Sequence, residues 1–366
     1  MNLPAYDGRY AGAIDCDVHC TPATVERLYP YLSEYWRDFM SDCGHPSLEP
    51  NTYPPNSPLA ARPGARDPKA PPGASLDLLR RQALDDTGVS HAILNCLYGV
   101  QLVRNDGWAT AMAGAVNRWL VDDWLDQDAR LRASIVVAPQ DPVQAAAEID
   151  RCATDRRFVQ VLLVVRSEMP LGRPFYWPIY EAAAHHGLPV VIHAGGGTGN
   201  PTMPVGWTTY YIEDYASMAQ AFQSTLISLV VEGVFARFPS LTVVLAEAGI
   251  TWLPSLMWRF DKNWKGLRRD TPWVDRLPSE IIRQHVRLTL QPIDEPLEAH
   301  RLIETLEHIG SDEMLLFSTD YPHWQFDGLG AIPEGLDPGL AQKIMAENPR
   351  RTYARLNQTA GTETVS

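Results

Sequence analysis

The sequence predicts an α/β protein closed into a (β/α)8 barrel, and three observations carry that prediction. Eight short runs are apolar and rich in β-branched residues: Ala13–Val18, Val89–Asn95, Leu131–Val137, Phe158–Val165, Leu188–His193, Leu241–Ala246, Val286–Leu290 and Met314–Ser318. Between them lie amphipathic stretches of helical period, among them Trp108–Leu125, Val143–Ala153, Tyr215–Phe235 and Leu297–His308. Runs such as VQVLLVV are almost continuously apolar, as parallel strands buried on both faces are. A doubly wound open sheet would place a glycine-rich turn after the first strand. Here Val18 is followed by HCTPATVERL, without G-x-G-x-x-G, and the glycines at 195–197 come too late for that role.

Taken in order, the first strand is AIDCDVHC, whose alternation puts Asp15, Asp17 and His19 on one face. It is followed by a segment, 45–72, that holds nine prolines and is neither helix nor central strand. This insertion is expected to be ordered, because prolines restrict the unfolded chain and Leu48, Tyr53 and Leu59 need somewhere to pack. A loop after the first strand of a barrel belongs to the catalytic face, so it should cover the pocket mouth or a neighbouring subunit. The fifth strand ends VVIHAGGG, with His193 after three β-formers; the sixth ends VVLAEAG, with Glu247; the eighth gives LLFSTDYPHW, with Asp320 and then His323. Residues 1–366 read as one barrel domain, ending in a polar tail, 358–366, that should fray.

Composition removes several function classes. With 31 basic against 44 acidic residues the net charge is −13, which disfavours nucleic acid and anionic membrane as partners. No run of about 18 apolar residues is available to span a membrane, and the first ten residues lack a signal pattern, so a cytoplasmic location is expected. Five scattered cysteines, Cys16, Cys20, Cys43, Cys96 and Cys152, argue against a disulfide framework. Cys16 and Cys20 have no second pair at short spacing and make a poor zinc knuckle.

In a barrel, chemistry gathers at the C-terminal ends of the strands. A lone Asp there is usually a turn former, and a lone His beside an apolar strand is usually a core residue. Two histidines and two carboxylates converging from such ends form a fair ligand set for one divalent ion, Zn2+ or Mn2+.

The motifs DCDVH, VVIHAGG and LLFSTDYPHW, with LAEAGITWLPSLMWRFDKNW and the closing ENPRRTYARL, resemble the amidohydrolase superfamily. Specifically, they resemble the branch containing aminocarboxymuconate semialdehyde decarboxylase and the aromatic acid decarboxylases. The resemblance runs from about Asp15 to Leu356 and implies a mononuclear metal held by Asp17, His19, His193 and Asp320. Two positions depart from the commonest pattern: Asp17 stands where a histidine is frequent, and Glu247 stands where the sixth strand often ends in a histidine acid/base. No lysine occurs among these strand ends, so a carbamylated-lysine binuclear centre is not expected.

The activity implied is non-oxidative decarboxylation of a small aromatic or unsaturated carboxylic acid. A hydrolase or hydratase of a lactone, amide or C–C bond, using a metal-activated water, is the alternative, and a non-catalytic binding protein is the third reading. Asp320 is the leading acid/base, with Glu247 and His323 as further candidates. Arg259 in MWRFDKNW is a candidate fork for a substrate carboxylate. Trp207, Tyr210 and Tyr211 are candidates for stacking on an aromatic substrate. The partner is a small molecule, and a homodimer or homotetramer is expected because the insertion could pack across subunits.

Overall fold

The computed structural model describes residues 10–43, 48, 61, 63–65, 67, 70–196, 201, 203, 205–323 and 330–357. Within them the eight strands form one sheet in chain order: β1 Ile14–His19, β2 His91–Asn95, β3 Leu131–Val136, β4 Phe158–Arg166, β5 Val190–Gly196, β6 Val243–Ala246, β7 Val286–Thr289 and β8 Leu315–Leu316. Every neighbouring pair is parallel. The seam between β8 and β1 is closed by backbone bonds from Cys16 N to Phe317 O (2.9 Å), His19 N to Tyr321 O (2.7 Å) and Asp320 N to Asp17 O (3.1 Å). The expected (β/α)8 barrel is therefore the observed fold.

β8 is only two residues long because the chain beyond it leaves the ladder. Phe317 N turns to Ile344 O (3.0 Å) and Thr319 N to the Asp15 carboxylate (3.0 Å). The β1 ladder also shifts register between Asp15 and Val18, beside the same seam. These irregularities bring the loop after β8 over the end of β1.

The helices begin where local chemistry starts them. Asn105 accepts from Trp108 N to cap the helix Asp106–Leu120, and Asp141 accepts from Val143 N and Gln144 N ahead of Pro142 to cap Pro142–Cys152. The helix Tyr211–Val231 starts four residues before the expected Tyr215. Its advance comes from Glu213, whose Oε2 accepts from Thr209 N (2.6 Å) and Tyr210 N (2.7 Å) and so fixes the first turn.

Of the segment 45–72, Leu48, Ala61, 63–65, Asp67 and 70–72 fall within the described residues, and Tyr53, Leu59 and the tail 358–366 fall outside them. Leu48, Ala61 and Ala65 are buried. Among the described residues no helix is long and apolar enough to cross a membrane, and Cys16, Cys20, Cys43, Cys96 and Cys152 are all free thiols.

Candidate metal centre

Six ionisable side chains from β1 and from the ends of β5, β6 and β8 meet at one point. His19 Nε2 lies 3.3 Å from Asp17 Oδ1, 3.2 Å from Glu247 Oε1 and 3.1 Å from Asp320 Oδ1. His193 Nε2 lies 3.0 Å from Glu247 Oε1 and 3.4 Å from Asp17 Oδ2. His323 Nδ1 lies 2.5 Å from Asp320 Oδ1 and 3.4 Å from Glu247 Oε1. Two overlapping groups of donors therefore form, Asp17–His19–His193–Glu247 and His19–Glu247–Asp320–His323, with the atoms of each within 4.8 Å of one another.

Backbone geometry explains how two of the carboxylates arrive there. Glu247 (φ 57°) and Asp320 (φ 56°) are the non-glycine residues with positive φ among the described residues. That conformation costs ~1–3 kcal/mol at a non-glycine position and persists only where the surroundings impose it. Glu247 N is held by Thr289 Oγ1 (3.1 Å) and Asp320 N by Asp17 O (3.1 Å). The strain turns both side chains off their strand ends and into the barrel axis.

The imidazole rings are oriented from behind. His19 Nδ1 bonds the Asn95 carbonyl (3.0 Å), and His193 Nδ1 bonds the Ala194 carbonyl (2.8 Å). A carbonyl oxygen only accepts, so each Nδ1 carries the hydrogen. In a neutral ring that leaves the Nε2 lone pair pointing at the carboxylates. Lone pair against carboxylate at 3.0–3.4 Å is repulsive unless positive charge stands between them. In addition Asp17 Oδ2, His193 Nε2, Glu247 Oε1 and Asp320 Oδ2 are buried without a hydrogen-bond partner. Orphaned polar atoms of this kind fit a divalent cation, and two imidazoles with three carboxylates suit zinc or manganese.

Protonation equilibria register the same demand. The His193 pKa is raised: burial opposes the charge, but the Glu247 and Asp17 carboxylates outweigh it. His323 is raised likewise, burial again opposing and Asp320 prevailing. Glu247 is held well below the usual carboxylate range; burial works against this, and His193 with His19 and His323 overcomes it. Asp320 is pushed up to about 6 by burial and then by the neighbouring Glu247 charge. Asp15, two residues before Asp17, is pushed up to about 7 by burial and points to Thr319 instead of the cluster.

Under this cluster runs a chain of neutral polar groups on β2, β3 and β4. Asn95 Nδ2 donates to Asp17 Oδ1 (2.7 Å), Ser134 Oγ donates to Asn95 Oδ1 (2.5 Å), and Gln160 Nε2 donates to Ser134 Oγ (2.9 Å). All three are fully buried.

Above the cluster opens a cavity of about 620 Å³, with His19, His193, Glu247 and His323 in its wall. Apolar lining comes from Leu97, Val100, Leu162, Val164, Ile212 and Met218. Ala61, Pro71 and Pro72 of the proline-rich segment also line it, and Ala61 bridges His323 in antiparallel pairing. Arg166, the last residue of β4, and Asp214, in the first turn of Tyr211–Val231, face the same space as an ion pair with Nη1–Oδ1 2.5 Å.

The structure thus brings Asp17, His19, His193, Glu247, Asp320 and His323 together. Glu247, expected as an acid/base, has its Oε1 among the donors of both groups. The helix Leu253–Leu267 turns Leu253, Leu256 and Met257 to the barrel, which places Arg259 on its exposed face, outside the cavity wall of this chain. Of the expected aromatic residues Tyr211 lines the cavity, while Trp207 (48% exposed) and Tyr210 (70%) do not. Tyr211, Ile212, Asp214, Tyr215 and Met218 of the helix face the cavity, whereas Trp207 and Tyr210 lie ahead of its first turn. Sequence reasoning missed Asn95, Ser134, Gln160, Arg166 and Asp214. A signal existed in β4, where Gln160, Leu162, Val164 and Arg166 fall on one face.

Comparison with known proteins agrees with this fold. A family model described as Amidohydrolase matches residues 14–355. The gamma-resorcylate decarboxylase of Polaromonas sp. (strain JS666 / ATCC BAA-500) is 25% identical over 264 residues, covering 68% of this chain and 77% of that protein. Among solved structures, a dihydroxybenzoic acid decarboxylase from Polaromonas sp. JS666, with bound manganese and the inhibitor 2-nitroresorcinol, aligns with TM-score 0.67 and 20% identity over 95% of this chain and 98% of that one. An amidohydrolase from Mycobacterium avium subsp. paratuberculosis K-10 aligns with TM-score 0.71 and 19% identity over 94% and 99%.

Proposed function

The chain belongs to the amidohydrolase family, and from that premise we propose that it is a metal-dependent, non-oxidative decarboxylase of a small aromatic carboxylic acid. The observation that carries the reading is the pair of imidazole Nε2 atoms, each fixed from behind through Nδ1, converging on Asp17, Glu247 and Asp320. The choice of reaction is supported by the decarboxylases it resembles, which act on hydroxybenzoates by name.

Asp17, His19, His193, Glu247 and Asp320 would hold one divalent ion, zinc or manganese. When bound, such an ion supplies a Lewis acid that orients an anionic carboxylate and absorbs negative charge. The residues of the chain do the rest. Apolar walls from Leu97, Leu162, Val164 and Met218 receive the ring and exclude water. Asp320, whose carboxyl burial and the Glu247 charge push up to about 6, is the group placed to pass a proton to the substrate. It delivers that proton to the ring carbon that bears the carboxylate. The bond from that carbon to the carboxylate then breaks, carbon dioxide leaves, and the electron pair of the bond restores the aromatic ring. Asp320 is recharged through His323, bonded to its Oδ1 and the most exposed side chain of the cluster at 27%.

The deciding experiment supplies the purified protein with Mn2+ or Zn2+ and follows carbon dioxide release from a panel of hydroxybenzoates. Release that disappears with a chelator and returns with the metal is the expected result. Metal-dependent hydrolysis of a lactone or amide, with no carbon dioxide from any acid, would replace this reading with the hydrolase one.

A further inference from the structure

Arg166 and Asp214 have no part in the metal centre, yet both are held in the wall of its cavity at the cost of burial. The Arg166 side chain is 11% exposed and that of Asp214 is 4% exposed. A buried ion pair contributes little to stability compared with apolar packing of the same volume, so its presence in a ligand cavity calls for a reason. The pair also leaves hydrogen-bonding capacity unused. Nη1 lies 2.5 Å from Asp214 Oδ1 as an ion pair, but Oδ1 and Nε are both buried with no hydrogen-bond partner, and Nη2 reaches the Asp214 carbonyl only at 3.5 Å.

Its height in the barrel is fixed by register. Val164 pairs with His193, and Arg166 pairs with Gly196. Arg166 therefore stands two residues, about 7 Å, above the level of the His193 strand position. A Cβ on Gly196 would meet the Arg166 carbonyl oxygen at 2.2 Å, and Gly196 also has φ +115°, so the strand end can close on Arg166 only as glycine. Tyr211 and Tyr215, in edge contact at 4.8 Å between centroids, line the cavity from the same turn of helix as Asp214.

We propose that the Arg166–Asp214 pair is a substrate-reading site for a hydroxyl group on the ring edge remote from the carboxylate. The inference rests on the proposed decarboxylase reading, which seats the carboxylate at the metal centre one strand level below. An uncompensated arginine would favour a second carboxylate. Here Asp214 already neutralises the guanidinium, and a second anion would leave the buried pair with an uncompensated negative charge. A hydroxyl suits the pair better, since it accepts from the guanidinium without adding charge. Hydroxyls beside the carboxylate, as in 2,6-dihydroxybenzoate, would not reach it.

The test measures binding by calorimetry on Mn2+-loaded protein, separately from carbon dioxide release. The probes are benzoate, 3- and 4-hydroxybenzoate, 2,6-dihydroxybenzoate and terephthalate. The wild type should bind 3- or 4-hydroxybenzoate about 10- to 100-fold tighter than benzoate or terephthalate, the scale of hydrogen bonds to a charged group. In the double variant Arg166→Met/Asp214→Leu, which removes the pair without leaving one charge buried alone, that preference should fall to within about threefold. Should the double variant fail to unfold cooperatively, Arg166→Lys keeps the charge and loses the planar fork, and should show the same loss of preference. Equal affinity for benzoate and the hydroxybenzoates in the wild type, tighter binding of terephthalate, no binding of any probe, or a preference that survives in the variants each overturns the proposal. A preference for 3- or 4-hydroxybenzoate without carbon dioxide release would sustain this site and reject the decarboxylase reading. Carbon dioxide release with no such preference would do the reverse.

Discussion

The wall of the barrel divides into two arcs of opposite chemistry. From β5 round to β1 the side chains that meet are His193, Glu247, Asp320, His323, Asp17 and His19, all ionisable and joined in two overlapping groups through His19 and Glu247. From β2 to β4 the buried polar residues are Asn95, Ser134 and Gln160, which carry no charge. The ionisable arc is in tension: its carboxylates and ring lone pairs share a few ångströms, and several polar atoms lack partners. The neutral arc is hydrogen-bonded link by link up to Asp17, with Gln160 Oε1 left without a partner at its far end. The difference teaches that one arc is arranged for a cation and for moving a proton, and the other for holding Asp17 still without adding charge to a crowded site.

The largest effect should come from the proton-transfer position. Asp320→Asn keeps the side-chain shape and one oxygen but removes the titratable group. Turnover should fall by ~10²- to 10⁴-fold, the scale of a lost general acid/base, while elemental analysis still finds manganese. Near-normal carbon dioxide release from this variant would move the role to Glu247 or His323.

Glu247 is the point on which the ionisable arc can be divided. As a ligand, its replacement in Glu247→Gln should weaken Mn2+ binding in a chelator competition by about 100-fold, at or above the upper end of what supporting groups cost. As an acid/base alone, the same variant would bind the ion normally and lose only turnover. The first outcome is expected, because Glu247 Oε1 lies within 3.4 Å of His19, His193 and His323 together.

On the neutral arc the effects should be smaller. Asn95→Leu removes the donor to Asp17 and leaves Asp17 Oδ1 with His19 alone. Mn2+ affinity should drop by ~10- to 100-fold, as for groups that orient ligands from behind. An affinity equal to the wild type would mean that the arc only fills the barrel.

The two arcs also differ in how far they could be read from sequence. His193, Glu247 and Asp320 were legible because each stands at or just past the end of an apolar strand run, Asp17 and His19 because they alternate along the first strand, and His323 because it follows Asp320 by three residues. The eight strands were legible as apolar runs, apart from their ends: β8 stops at Leu316 because Phe317 and Thr319 find partners off the ladder, which no local pattern encodes. Asn95 and Ser134 were hidden because their role is a partner more than 30 residues away, and a single amide in a strand has no period. The placement of Arg259 was not legible, because composition marks a cation but not the face of the helix that carries it. The left-handed backbone at Glu247 and Asp320 was equally invisible, since both are residue types that favour other conformations.

The smallest effect is expected at the middle link. The Ser134 hydroxyl donates to Asn95 Oδ1 and accepts from Gln160 Nε2, so it relays order between two amides and does not touch Asp17. In Ser134→Ala both bonds go, but Gln160 Nε2 already stands 3.3 Å from Asn95 Oδ1 and can take over as donor. The cost to folding should be about 1–2 kcal/mol, read from urea unfolding, with Mn2+ affinity lowered by less than about threefold. Because Ser134 reaches the metal site only through Asn95, its effect on affinity should vanish in the Asn95→Leu background. If the two substitutions instead weaken Mn2+ binding additively, Ser134 acts on the centre by another route, and the neutral arc is not the single chain of contacts that its geometry describes.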